Sequence, residues 1–314
     1  MPKLTLCYSN HRPEMLHPAA QIMTAHDVIM LEEQPQSSLN MMLRGEMELD
    51  EYILESEAAF PEFARKHCTL MQELYDGGKT IQQVEPYLEH LLNIQLFLAD
   101  GNTPDMIERD SVGYQVYLAE RDATGKLIEY YRASGMGCLD TLLSSMMEFA
   151  KADAARFLLR DSLRSEAIVS LLQPGKDTFV EAGSMHHALY VLLERNISRE
   201  WSLQSRNLEE EVAKQMGMTD YRLPPGDQLT LAYINADHIS EEQERLLCAQ
   251  TLIYTKITMK EEWVESESDF PHLNDELRNI ALVSSLDLRR CRILYERIHN
   301  VSTADARKIV MRAI

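Results

Sequence analysis

Three residues able to exchange protons or bind metal ions follow predicted strands. His11 follows the first predicted strand, Glu32 ends the second, and His186 follows a strand predicted at residues 177–182. In open α/β sheets, ligands bind beyond the carboxyl ends of the strands, where residues distant in sequence converge. Two imidazoles and a carboxylate suit either a divalent metal ion or the activation of water by general base catalysis. We therefore predict that these three side chains form a catalytic or metal-binding site.

Each of these residues also has a structural alternative. A histidine after a strand is more often an ordinary loop residue. Glu32 can be a solvated strand end or a helix N-cap, although a carboxylate that ends the apolar run at residues 28–31 risks burial and then needs a partner. Gly183 lets the backbone turn sharply just before His186. The helix predicted to begin there would disfavour a protonated imidazole and keep His186 neutral.

Supporting residues are predicted by their position relative to the three. Arg160 and Arg164 lie one helical turn apart and can hold an anionic group or a developing oxyanion. The alternative for both is a solvated helix face paired with neighbouring carboxylates. Glu14, three residues after His11, can share its site or merely favour a helix start. Glu85 is a candidate if the helical segment that contains it folds over the sheet as a lid.

The elements that must position these residues predict an α/β fold with a mixed, mainly parallel sheet flanked by helices. A β-α-β unit at the start of the chain favours a parallel pair of strands. We predict an α/β core domain over residues 1–235 and a helical C-terminal region over 236–314, packed on the core. The predicted elements are strands at 3–9, 27–32, 177–182 and 229–234, a helical insertion at 38–100, a hairpin at 112–134, and helices at 13–25, 139–172, 188–193, 207–216 and 240–313, the last capped by Ser302 or Thr303.

Composition limits the classes of partner. The formal net charge is −19, from 50 acidic and 31 basic residues, so the average surface repels nucleic acid. The five cysteines are scattered without a CxxC pair, which is typical of reduced thiols in a cytoplasmic protein. No apolar run approaches the roughly 18 residues of a membrane span. The sequence leaves the oligomeric state, including a homo-oligomer, open.

Three short segments carry a resemblance to a known superfamily. They are Tyr8-Ser-Asn-His11, Val28-Ile-Met-Leu-Glu32, and the stretch from Leu159 to Gly183-Ser-Met-His186. Together they resemble the TraB, ChaN and erythromycin-esterase-like superfamily, whose members carry an Arg-bearing helix, two G-x-x-H motifs after strands and a Glu that ends the second strand. Tyr8 stands where that pattern has glycine. The resemblance implies a site at these residues; members include metal-dependent peptidase-like proteins, esterases that use His and water, and haem-binding proteins.

Three functional hypotheses follow. The first is a hydrolase-like enzyme for a small-molecule or peptide substrate, in which the His/Glu/His site binds a divalent metal or orients a water. The second is a protein on the same scaffold that binds haem or another small ligand without turnover; Tyr8 favours it, since tyrosine can ligate haem iron. The third is an interaction or maturation factor that docks a partner through its helical region at residues 240–313.

Overall fold

The computed structural model describes residues 1–56, 58–218, 221–263 and 269–313. Its contacts divide the chain into two compact units. Unit 1 consists mainly of Met1–Val116 and Leu159–Met218, and unit 2 of Tyr117–Leu158, Thr219–Trp263 and Phe270–Ile314. The domain boundary predicted at residue 235 falls within the range of unit 2.

Unit 1 contains a five-stranded parallel sheet, which confirms the predicted α/β fold. The strands are β1 (Lys3–Tyr8), β2 (Val28–Leu31), β3 (Thr80–Gln83), β4 (Thr178–Ala182) and β5 (Ser202–Asn207). Their order across the sheet is β3-β2-β4-β1-β5, and every pairing between neighbours is parallel. The first two strands run parallel as predicted, but they are not neighbours, because β4 lies between them.

The two edge strands, β3 and β5, escaped sequence prediction. The inner strands β2 and β4 are buried along their whole length, as expected for parallel strands covered on both faces; β2 is entirely apolar, and β4 is apolar except for Thr178 and Glu181. In contrast, β3 reads Thr-Ile-Gln-Gln and β5 reads Ser-Leu-Gln-Ser-Arg-Asn, with side chains that are largely polar. Edge strands tolerate such residues because one side has no neighbouring strand. The segment at 38–100, predicted as a helical insertion, therefore also contains β3.

Helices make up most of the remaining described chain. In chain order they are α1 (Leu16–Thr24), α2 (Ser37–Leu43), α3 (Leu49–Glu55), α4 (Pro61–Asp76), α5 (Pro86–Ala99), α6 (Val112–Gly135), α7 (Leu139–Leu171), α8 (His187–Asn196), α9 (Leu208–Gln215), α10 (Pro225–Ile234), α11 (Glu241–Ile257), α12 (Pro271–Ser284), α13 (Leu288–Ile298) and α14 (Thr303–Met311). The Ser302 side chain caps α14 by accepting a hydrogen bond from the backbone N–H of Asp305, as predicted. None of the helices described has the length and apolar character of a membrane span.

The hairpin predicted at residues 112–134 is wrong, because this segment forms the single helix α6. Its buried residues Val116 and Ala123 are seven residues apart, which is close to two turns of a helix. Gly125, taken as the turn of the hairpin, lies inside the helix, where an added Cβ would meet open space. The glycine is therefore tolerated on the helix surface and does not mark a turn.

The strand predicted at residues 229–234 is also wrong, because these residues belong to α10. Five of the six, including Leu229 and Ile234, are buried, so the apolar run shows no helical period. A short, continuous apolar run cannot distinguish a buried strand from a buried helix. Pro225 at the first turn of α10 is the local signal for a helix start.

Each unit has its own hydrophobic core. In unit 1, one face of the sheet packs against α7 and α8, with Ile168, Leu189 and Leu193 fully buried against β1, β2 and β4, and Trp201 partly buried at the same cluster. In unit 2, the core is built mainly from helices, with residues from α6, α7 and α10 to α14. The short strands β2 and β4 are thus held in place by the helices α7 and α8, which pack on them.

Ile168→Ala tests this packing. We expect the free energy of unfolding to fall by about 2–5 kcal/mol, because truncating a fully buried Ile removes transfer energy and leaves a cavity. The measurement is urea unfolding followed by the fluorescence of Trp201. Leu171→Ala, at an exposed position of the same helix, is the matched control and should change stability by less than about 1 kcal/mol. Equal losses in the two variants would contradict the packing described.

Candidate functional site

The strand order brings three chain segments together at the carboxyl edge of the sheet. Glu85 follows β3, Glu32 follows β2, and His186 follows β4 as the N-cap residue of α8. Because β2 lies between β3 and β4, the residues after these three strands are neighbours. The helix α7 crosses the same edge and adds Arg160, Asp161 and Arg164. These six residues are referred to below as the Glu32 cluster.

His186 is held between two carboxylates. Its Nε2 lies 2.8 Å from Oε1 of Glu32, and its Nδ1 contacts Oδ1 of Asp161. The side chain is 2% exposed. Burial alone would lower the pKa of His186, but the charge of Glu32 and the hydrogen bonds to both carboxylates raise it to about 9. The sequence-based expectation of a neutral imidazole is therefore not met, because two carboxylates outweigh the field of a helix N-terminus.

Glu32 is the centre of the cluster. Besides His186, its carboxylate lies 3.2 Å from Nη2 of Arg160 and 3.4 Å from Nη1 of Arg164, and it accepts a 2.5 Å hydrogen bond from the backbone N–H of Gly183. Burial alone would raise the pKa of Glu32, but His186 and the two arginines hold it well below its usual range. A Cβ added at Gly183 would lie 3.5 Å from Glu32, an ordinary contact, so available space does not require this glycine.

Glu85 completes the pairing of charges. Its Oε2 lies 3.1 Å from Nη2 of Arg160, and its Oε1 accepts a hydrogen bond from the backbone N–H of Tyr87, which caps α5. The cluster contains three carboxylates, two guanidinium groups and one imidazole. With His186 protonated, its formal charges cancel, which is the condition under which buried ions are tolerated.

Arg164 contacts Glu32 and also connects the backbone of two strands. It is fully buried, and it donates hydrogen bonds to the backbone carbonyls of Val84, at 2.9 Å, and Glu181, at 2.6 Å. It therefore joins the ends of β3 and β4 across β2. Both arginines were predicted to hold an anionic group, and the anion that they contact in this structure is the protein's own Glu32.

A cleft of about 400 Å³ opens on the other side of Glu32. His11 lies on its wall and stacks on Phe63, with ring centroids 5.2 Å apart. Of the three residues predicted to meet, Glu32 and His186 are in direct contact, and His11 shares only the cleft with Glu32. The lining residues are His11, Glu32, Glu33, Gln34, Gln36, Tyr52, Ser56, Ala58, Ala59, Phe60, Phe63, Ala64, His67, Cys68, Leu88 and Glu181.

Two further ionisable residues of the cleft, Glu181 and His67, were not identified from the sequence. Oε1 of Glu181 lies 3.5 Å from Nε2 of His67, and both side chains are buried. Burial alone would raise the pKa of Glu181, but His67 and His11 lower it to about 2. Burial works against protonation of His67, yet the charge of Glu181 raises its pKa. Each of the two groups therefore favours the charged form of the other.

The other predicted ligand-binding residues lie elsewhere. Tyr8 stacks on His187, with ring centroids 5.2 Å apart, and lines a second cavity of about 430 Å³. Burial raises the pKa of Tyr8, which works against the phenolate that haem iron would require. Glu14 belongs to the 3-10 turn Pro13–Met15 and is not among the residues that line the cleft.

The pH dependence of stability tests the charge state of His186. Its pKa in the folded protein lies above the ordinary value near 6.5, so protonated His186 stabilises the fold below about pH 6.5, and this contribution is lost as the pH rises through about 9. We expect a loss of roughly 3 kcal/mol across this window. Urea unfolding of chelator-treated protein at a series of pH values measures it. His186→Gln should lack this component, and identical pH profiles for the two proteins would contradict it.

Comparison with known proteins yields one relative without a described function. An uncharacterized protein of the archaeon Archaeoglobus fulgidus is 28% identical over 295 residues, which cover 94% of this chain and 98% of the relative. No family model matches the chain, and no solved structure matches it significantly. The two chains are thus similar over almost their whole lengths, and the chemistry of this one must be inferred from its own residues.

Proposed function

We propose that the protein is a hydrolase whose substrate binds in the cleft between His11 and Glu32. The proposal rests on the position of the Glu32 carboxylate, which has different surroundings on its two sides. On one side its carboxylate is fixed by His186, Arg160 and Arg164, and on the other it borders a cleft that His11 also lines. A fixed charge and an accessible imidazole on one cleft are groups that general base catalysis can use.

The proposed reaction assigns a role to each group. His11 accepts a proton from a water molecule as the water oxygen attacks the carbonyl carbon of an ester or amide, and it returns that proton to the leaving oxygen or nitrogen. Glu32 has a lowered pKa and is therefore a poor base, but it is a permanent anion that can orient the water and stabilise the imidazolium of His11. His186, Arg160 and Arg164 are positioning residues that keep Glu32 ionised and immobile.

His11→Ala is the direct test of this role. Because His11 is exposed, its removal should leave the fold intact while lowering kcat/KM by at least about 100-fold, the contribution of a general base. The measurement is hydrolysis of panels of chromogenic esters and short peptides by the full chain. His17→Ala, a change at an exposed histidine of α1, is the control and should retain full activity. Unchanged turnover in the His11 variant would remove the catalytic claim.

A divalent metal ion at the Glu32 cluster is the second candidate. Glu32, Glu85 and His186 each offer a ligand atom, and these atoms lie within 4.8 Å of one another. Asp161 on Nδ1 of His186 is the carboxylate–histidine pairing that orients metal-bound imidazoles and leaves Nε2 as the ligand atom. When bound, the metal would supply Lewis-acid chemistry. Against this candidate, Arg160 already bridges Glu32 and Glu85, and the charges cancel without a metal.

The charge balance leads to a specific expectation for metal binding. An ion can enter only if His186 releases its proton and Arg160 yields the carboxylates, so binding should release about one proton and tighten as the pH rises. Calorimetric titration with Mn²⁺ or Zn²⁺ in buffers of different ionisation enthalpy measures both effects. Glu85→Gln should weaken binding at least about tenfold, and Glu89→Gln, in the first turn of the same helix, should not. If Glu85→Gln left the affinity for the metal unchanged, the metal would not bind at this site.

The resemblance to the TraB, ChaN and erythromycin-esterase-like superfamily supports the first proposal more than a haem site. The superfamily motifs coincide with His11, Glu32 and His186, which are the residues used above. A haem held by Tyr8 and His11 together finds no support in the geometry, since these two side chains line different cavities. Whether the substrate is an ester or a peptide is decided by the panels.

A further inference from the structure

The walls of the cleft are mainly apolar and aromatic. Tyr52 comes from α3, Phe60 precedes α4, Phe63 belongs to α4 and Leu88 to α5. The alanines at positions 58, 59 and 64 complete this surface. Pockets of this size and composition bind small molecules through burial of an apolar group, with a few polar groups that fix the orientation. The substrate should therefore carry an apolar or aromatic portion.

The permanently charged residues on the walls are all acidic. Glu32, Glu33 and Glu181 line the cleft, and no lysine or arginine is among its lining residues. Two of these charges are already matched, Glu32 by the cations of its cluster and Glu181 by His67. Among the residues that the structure describes, no cationic side chain lies within ion-pair distance of Glu33. The charge of Glu33 raises the pKa of His67, but the imidazole of His67 is in contact with Glu181, so Glu33 has no counter-charge in direct contact among these residues.

Glu33 is held in place by neutral hydrogen-bond donors. Its Oε2 accepts a 2.8 Å hydrogen bond from Nε2 of Gln83 and a longer one, at 3.5 Å, from the hydroxyl of Tyr52. Burial, and then the charge of Glu33, raise the pKa of Tyr52, so the phenol keeps the proton that it donates. These contacts position the carboxylate without neutralising it. A second carboxylate oxygen remains for a ligand.

From these observations we infer that the cleft binds a substrate with a protonated amine or guanidinium group next to an apolar, preferably aromatic, group, and that Glu33 binds the cation. The inference deepens the proposed hydrolase function and rests on the same cleft. The aromatic rings favour such a ligand as well, since cations are attracted to ring faces. Phe60 already makes a contact of this kind, with the guanidinium of Arg12 4.7 Å from its ring centroid.

A series of probes without a hydrolysable bond tests the ligand class apart from catalysis. The probes are 3-phenylpropylamine, 3-phenylpropan-1-ol and 4-phenylbutyrate, which share an aromatic arm and differ in charge. Binding to the full chain is measured by calorimetry at pH 8, above the ordinary pKa of an imidazole. We expect the amine to bind at least about tenfold more tightly than the alcohol, and the carboxylate to bind most weakly. The advantage of the amine should shrink as salt is added.

Glu33→Gln isolates the charge of the residue. Glutamine keeps an oxygen that can accept the hydrogen bonds of Gln83 and Tyr52, so the variant should fold while the advantage of the amine over the alcohol falls to about one. Glu46→Gln, at an exposed glutamate outside the cleft, is the control and should retain the advantage. If the glutamine variant does not fold, the probe series and its salt dependence in the wild-type protein still decide the question.

The outcomes separate this inference from the hydrolase proposal. Equal or tighter binding of the alcohol or the carboxylate would overturn the inference, as would an undiminished preference for the amine in Glu33→Gln. Selective binding of the amine supports the inference even if His11→Ala leaves turnover unchanged, in which case only the catalytic proposal fails. Conversely, a hydrolase that loses activity without His11 but binds the carboxylate best would retain its function with a different substrate class.

Discussion

The arrangement at the sheet edge depends on the burial of the Glu32 carboxylate. Moving an ion out of water costs several kcal/mol, and removal of a single partner from a buried pair costs about 3–5 kcal/mol. Glu32 meets this cost with an imidazolium, two guanidinium groups and a backbone N–H, supplied by β4, the turn that follows it and α7. Because these partners come from segments more than 120 residues distant, the pairing of charges also fixes how the segments meet.

The order of the strands determines which charges can meet. Insertion of β4 between β1 and β2 places the residues that follow β4 directly beside those that follow β2. The same insertion moves the end of β1 one strand away, which is why His11 reaches the cleft and does not join the Glu32 cluster. Arg164 then joins β3 and β4 across the strand between them, through two backbone carbonyls. Arg164 thus provides hydrogen bonds to backbone carbonyls at the ends of two strands, which apolar side chains cannot do.

The sequence predicts the parts of this site that have a local signal. Glu32 ends an apolar strand, and the glycine before His186 marks a strand-to-helix turn, so both were found. Asp161 has no local signal, because nothing in the sequence around it reveals that α7 turns it towards His186. His67 lies in a helix with no distinguishing pattern, whereas Glu181, a charge inside a buried strand, carried a signal that was overlooked. The order of the strands determines which of these side chains come into contact. It is a long-range property that hydrophobic periodicity does not encode.

Glu32 and Glu33 show how adjacent carboxylates acquire opposite roles. Both residues border the cleft, but successive residues that leave a strand point in opposite directions, so Glu32 meets α7 and the start of α8, and Glu33 meets Tyr52 of α3. Burial among cations gives Glu32 a lowered pKa and a fixed place, so its charge is permanent and already paired within the protein. Neutral donors around Glu33 fix its position, and none of the described cationic side chains contacts it directly. The alternation of a single strand therefore separates a carboxylate that organises the protein from one that can recognise a cation.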